Sequence, residues 1–150
     1  MPSIITLAHQ KGGVGKSTIA LNLYSYYERA GLRTVIVDID PQGSITGFIE
    51  FSGAERFNLI RRGDFKTYYE LLQKVQGIEV VVIDTPPYLS KELEEIIKIT
   101  NIIIIPCKAS LFDVLAIQQT IEYIKLQTAT NKKIIPAIIL TMVISGASLQ

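Results

Sequence analysis

Short apolar runs and stretches of helical spacing alternate along the whole chain. Ile4, Ile5, Leu7 and Ala8 form the first run, and Thr34–Val37, Ile78–Ile83, Ile102–Ile105 and Ile134–Leu140 follow. The runs are continuous rather than alternating, which is the pattern of strands buried on both faces of a parallel sheet. Between them, Ile19, Ala20, Leu23, Tyr24 and Tyr27 recur at helical spacing up to a stop at Gly31, and Thr67–Val75 turns Tyr68, Leu71, Leu72 and Val75 to one side. Ser90 is placed to cap a helix that runs to Ile99 and ends by Asn101, with Glu92, Glu94 and Glu95 in the turns where acidic residues suit the helix dipole. Ser110 and Asp113 have capping-box spacing at the start of a helix reaching about Gln127. Ser44–Gln76 is the least informative stretch. It offers a short edge strand at Phe57–Ile60 and a turn at Arg61–Asp64, and Pro136 suggests that the last strand also lies at an edge. The pattern predicts an α/β fold, a mostly parallel central sheet with helices on both faces, as one domain over residues 1–150.

Chemistry enters where the first strand gives way to the first helix. Gln10-Lys-Gly-Gly-Val-Gly-Lys-Ser-Thr18 places Gly12, Gly13 and Gly15 in a tight turn and opens a helix near Lys16. This is a strand–loop–helix cradle for phosphate, in which loop N–H groups and a helix N-terminus face the anion. Lys16 is spaced to reach the β and γ phosphates, and the Ser17 hydroxyl to ligate a bridging Mg²⁺. The ordinary G-x-x-x-x-G-K-[ST] loop has glycine where this chain has Gln10, and a second lysine, Lys11, follows. Two later strands end in acid. One delivers Asp38 and Asp40, on one face of an extended backbone, just before Pro41 and Gly43. The other delivers Asp84 before Thr85, Pro86 and Pro87. Carboxylates at the C-terminal ends of buried strands stand where open α/β sheets bind ligands, and one opposite a phosphate loop can hold a Mg²⁺-bound water.

Lys11–Ser17 resembles the deviant Walker A motif of the ParA/MinD ATPases, Asp38–Gly43 their Walker A′ segment, and Val81–Pro87 their switch II. The resemblance covers nearly the whole chain and implies a P-loop ATPase using ATP and Mg²⁺. It places Lys11, Lys16 and Asp40 in catalysis, with Lys11 reaching across an ATP-dependent homodimer and Asp40 orienting the attacking water. It places Lys11, Gly12, Gly13, Val14, Gly15, Lys16, Ser17, Thr18, Thr141 and Met142 around the nucleotide, and Ser17, Asp38 and Asp84 at the metal. It implies a plasmid or chromosome partition protein working with a ParB-like centromere-binding partner. A MinD-like positioning ATPase and a nucleotide-binding regulator without turnover are the alternatives.

Composition narrows this further. Hydrophobic residues make up 48% of the chain, which suits a packed globule, and the formal net charge of +1 gives no general attraction to DNA or anionic lipid. Weak DNA binding is expected, with Arg61, Arg62, Lys66, Lys132 and Lys133 the available cations. Cys107, the single cysteine, rules out an intrachain disulfide and the paired-cysteine clusters of iron–sulfur relatives. It reads as a buried thiol, and His9 and the tyrosines at 68 and 69 read as packing groups. No signal peptide or membrane anchor is legible, so a cytoplasmic location is expected. The resemblance thins after Met142, and part of the adenine pocket and of the DNA surface carried by the family's C-terminal part is expected to be missing.

Overall fold

A computed structural model describes residues 1–54, 57–128 and 134–143, with the side chains of residues 111–114 and 128 excluded. The Ser110–Asp113 capping box, Lys132, Lys133 and the tail after Val143 therefore lie outside what is described. Six strands make one parallel sheet: β1 (Ser3–Leu7), β2 (Thr34–Asp38), β3 (Leu59–Arg61), β4 (Val80–Asp84), β5 (Ile102–Lys108) and β6 (Ile135–Thr141). Their spatial order is β3-β2-β4-β1-β5-β6, and every pairing is parallel. The helices are α1 (Lys16–Arg29), α2 (Ser44–Ser52), α3 (Tyr68–Lys74), α4 (Lys91–Ile99) and α5 (Leu111–Thr128).

Strands β1 to β5 feed both layers. Ile4, Val35, Val37, Val81 and Ile83 pack with Leu71 and Val75 at α3 and with Ile96 and Ile99 of α4. Their sequence neighbours Ile5, Ile36, Val80 and Val82 point the other way, onto Ala20 and Tyr24 of α1 and Ile45 and Ile49 of α2. Ile103 and Ile105 meet α4 and α5 through Ile97, Ile117 and Ile124. Val81, Val82 and Ile83 are wholly buried, and burying such side chains contributes about 1.5–3 kcal/mol each. Tyr24 ties α1 to the chain entering β3. Its ring stacks on Phe57 at 5.0 Å, and its hydroxyl oxygen accepts the Asn58 N–H at 2.9 Å.

Several local expectations need correcting. α2 is a full helix in the least informative stretch of the sequence, and the strand expected at Phe57–Ile60 lies at Leu59–Arg61. Ser90 does cap α4, accepting the Leu93 N–H at 3.1 Å. Thr100 closes that helix, and Asn101 instead accepts the Ile4 N–H at 2.9 Å, pinning the start of β1. β5 does not stop at Pro106. Ile104 turns its carbonyl toward Ala8, beyond the end of β1, so by alternation Pro106 points to the side that β1 has already left, and its missing N–H breaks no bond to β6. The same alternation at the edge strand β6 points Pro136 outward, because Ile135 donates to Asn101. The apolar side chains of Ile138 and Leu140 on this edge are exposed.

Candidate functional site

Register brings the acidic strand ends together. Leu7 pairs with Asp84, and Asp84 with Asp38, so both carboxylates reach the C-terminal edge of the sheet where β1 enters the phosphate loop. β1 is also where the strand order reverses, the usual place for a ligand crevice in an open sheet.

Gly13 and Gly15 bend the loop with φ of +68° and +96°, a region that side-chain-bearing residues rarely occupy. Three side chains brace the loop from outside. His9 Nδ1 accepts the Lys11 N–H at 2.9 Å, the Thr141 hydroxyl donates to the Val14 carbonyl at 3.0 Å, and Gln10 Nε2 donates to Gln119 Oε1 of α5 at 3.2 Å. The residue that departs from the ordinary loop thus ties it to a helix. Val14 is buried, and Lys16 is only 6% exposed. The Lys16 ammonium donates to the Lys11 carbonyl at 3.2 Å. Burial lowers its pKa, against the attraction of Asp84 and Asp40.

The Ser17 hydroxyl donates to Asp84 Oδ2 at 2.6 Å, while Asp84 Oδ1 is buried with no hydrogen-bond partner among the described residues. Asp84 has no solvent exposure. Burial pushes its carboxyl up to about 6; the Ser17 bond and Lys16 oppose the rise, and Asp38 and Asp40 add to it. A buried carboxylate with one idle oxygen and a serine on the other suits a hard cation, which takes oxygen ligands and keeps several waters. The described residues contain no cluster of three or more His, Cys, Asp or Glu able to hold a metal alone. Such a site fits an ion that is completed by phosphate.

Asp38 and Asp40 play unequal parts. Asp38 is 2% exposed. Its Oδ2 accepts the Thr46 N–H at 2.9 Å and the Thr46 hydroxyl at 2.8 Å, and its Oδ1 accepts the Asp40 N–H at 3.2 Å. Oδ2 thus holds the first turn of α2, and Oδ1 holds the turn that follows β2. Asp40 is half-buried and uses one oxygen on the Gln42 N–H at 2.9 Å. It borders the cavity over the loop, about 480 Å³, which Gly12, Gly13, Lys16 and Ser17 line from below and Pro87 and Met142 from the side. The structure thus gathers the loop, Ser17, Asp38, Asp40, Asp84, Thr141 and Met142 at one edge. Thr141 and Met142 stand beside the phosphate loop itself.

A second cleft of about 680 Å³ opens on the other side of Asp38 and Asp40, bordered by α2 and by Arg61, Arg62 and Lys66. Arg61 pairs with Glu50 at 3.2 Å and Arg62 with Glu92 at 3.1 Å, so the basic cluster is largely neutralised in place. Sequence reasoning missed α2, Thr46 and Lys108. Ile45 and Ile49 ahead of Gly53 give a helical signal, but a weak one of two residues. Lys108 ends β5 much as Asp84 ends β4, and that was the signal for it.

Residues 5–150 match the family model described as the CobQ/CobB/MinD/ParA nucleotide binding domain. Over 136 residues the chain is 31% identical to maintenance of carboxysome distribution protein A of Gloeobacter kilaueensis, covering 89% of this chain and 62% of that protein. It is 60% identical to the chromosome-partitioning ATPase Soj of Thermus thermophilus over 42 residues, 28% of this chain and 17% of Soj. A plasmid partition protein from Borrelia burgdorferi superposes with a TM-score of 0.78 at 24% identity, over 99% of this chain and 83% of that one. The chain spans less than two thirds of the length of these curated relatives. No helix among the described residues is long and apolar enough to cross a membrane.

Proposed function

We propose that this chain, which belongs to the CobQ/CobB/MinD/ParA nucleotide-binding family, is a Mg²⁺-dependent partition ATPase that dimerises on ATP and is reset by a centromere-binding partner. The observation that carries the ATPase reading is the Ser17–Asp84 bond with its idle carboxylate oxygen, directly beneath the phosphate loop. Ser17 and Asp84 would hold Mg²⁺, with Asp38 near its water shell, and the bound ion would neutralise phosphate charge as the terminal bond breaks. Lys16 would let go of the Lys11 carbonyl and turn its ammonium to the β and γ phosphates. The N–H groups of Gly13, Val14 and Gly15 would fix the anion. Asp40, at the rim and half-exposed, is positioned to orient a water toward the terminal phosphate and to accept its proton. Lys11 would act on the nucleotide of the second subunit.

Partition is favoured by the short, high-identity match to Soj. The longer match to a carboxysome-distribution protein favours a second reading, the same ATPase cycle moving a different cargo. The test of the shared cycle is ATP hydrolysis with and without Mg²⁺, set beside sedimentation with a non-hydrolysable ATP analogue. Metal-dependent turnover and an ATP-dependent dimer are expected. Binding without turnover would leave a nucleotide-binding regulator. To separate the cargo readings, fluorescently tagged protein is followed in cells carrying a labelled replicon, and co-movement with the replicon supports partition.

A further inference from the structure

The end of β5 brings a third lysine to the phosphate loop. Lys108 pairs with Thr141 across the β5–β6 ladder, and both residues reach the loop: Thr141 bonds the Val14 carbonyl, and the Lys108 ammonium lies 3.8 Å from where a Cβ on Gly13 would stand. The backbone beneath it is anchored, since the Lys108 carbonyl accepts the Ser110 N–H at 2.8 Å and the Cys107 thiol at 3.0 Å. Its side chain is half-buried, and none of the ion pairs among the described residues involves it. An ammonium in that setting, beside a loop whose own N–H groups are donors, leaves the region short of acceptors. A polyanion supplies them.

We infer that Lys108 binds the terminal phosphate of a nucleoside triphosphate seated in the loop, a role that rests on the nucleotide-site reading above but not on any partner or cargo. Position along the loop selects the terminal phosphate. The backbone of Lys16 and Ser17 stands at the α1 end, where the inner phosphates meet the helix N-terminus, although the Lys16 ammonium reaches outward from there. Gly13 lies toward the other end, where a Cβ on Gly12 would stand 4.0 Å from the Pro87 ring. Pro87 follows Asp84 by three residues, so a charge beside Gly13 meets the outermost phosphate, next to the segment that carries the metal-site carboxylate.

The test compares Lys108→Gln and Lys108→Arg with the unaltered chain, measuring affinity for a non-hydrolysable ATP analogue and for ADP, both with Mg²⁺, by calorimetry at one salt concentration. Loss of one charge-assisted contact is expected to weaken the analogue about tenfold in the Gln variant while ADP changes less than twofold, and Arg restores most of the loss. Both affinities come from the same preparation, so a reduced folded fraction cancels in their ratio. An analogue affinity within twofold of the unaltered chain overturns the assignment, as does an equal loss for ADP. If the unaltered chain binds neither nucleotide, the nucleotide-site reading itself fails and Lys108 falls with it, a result distinct from the other two.

Discussion

Asp84→Asn is expected to stabilise the ligand-free protein at neutral pH while destroying its response to Mg²⁺. The folded carboxyl keeps its proton up to about pH 6, whereas its ordinary value is near 3.8. The folded state therefore binds more protons than the unfolded one between those values, and stability falls as pH rises across that window. The gap converts at about 1.4 kcal/mol per pH unit to about 3 kcal/mol lost once both states are ionised. About 2 kcal/mol of that loss falls between pH 4.5 and pH 8. Asparagine does not titrate, so the difference in unfolding free energy, variant minus wild type, should grow by about 2 kcal/mol over this range, or roughly 4–8 °C in Tm for a chain of this size. Its carbonyl can keep the Ser17 bond, but its amide takes the place of the buried, unpartnered Oδ1, and a buried donor left without an acceptor costs part of the gain. The absolute gain at pH 8 is thus smaller, and the pH dependence is the cleaner measure. Urea unfolding at both pH values, in chelator and without nucleotide, reads the effect; carboxylates common to both proteins cancel. A difference that stays flat from pH 4.5 to pH 8 would refute the argument that burial governs Asp84. With Mg²⁺ and ATP analogue the order is expected to reverse, because the wild type gains the metal-dependent share of the binding energy that the variant loses.

Lys16→Ala should lower ATP affinity at least about a hundredfold, by removing the buried cation at the loop; calorimetry checks this, and unchanged binding would contradict the phosphate-site assignment. Asp40→Ala should keep ATP and Mg²⁺ binding but lose turnover by about 10²-fold or more, measured as phosphate release in a single turnover. Lys11→Ala should bind ATP yet stay monomeric in sedimentation with the non-hydrolysable analogue, and a normal dimer would remove its role across the interface. Thr46→Val deletes the hydroxyl bond to Asp38 Oδ2 at 2.8 Å and keeps the backbone one, so about 1–2 kcal/mol of stability should disappear, read by urea unfolding.

Local pattern carried most of the strands and the phosphate loop, because each depends on residues adjacent in the chain. A continuous apolar run buried on both faces, three glycines, a lysine and a serine in fixed spacing, and an aspartate closing a strand can be read without knowing what lies opposite. α2 escaped because Gly47 and the exposed Phe48 and Phe51 blur its apolar face, and the stabilisation of its first turn comes from Asp38, eight residues upstream of Thr46. The sequence shows Arg61 and Arg62 as a basic cluster, but only the fold shows that Glu50 and Glu92, distant in sequence, pair with them. Lys108 closes β5 as Asp84 closes β4, but that position alone does not say which loop its side chain reaches. Only the parallel register of β5 and β6, set by cross-strand bonding over the whole sheet, carries the side chains of Lys108 and Thr141 to a loop about a hundred residues earlier in the chain. Asp84 shows the division most plainly: its place at the end of a buried strand was legible in sequence, but its idle oxygen and raised pKa arise from the surrounding layers that exclude water from it.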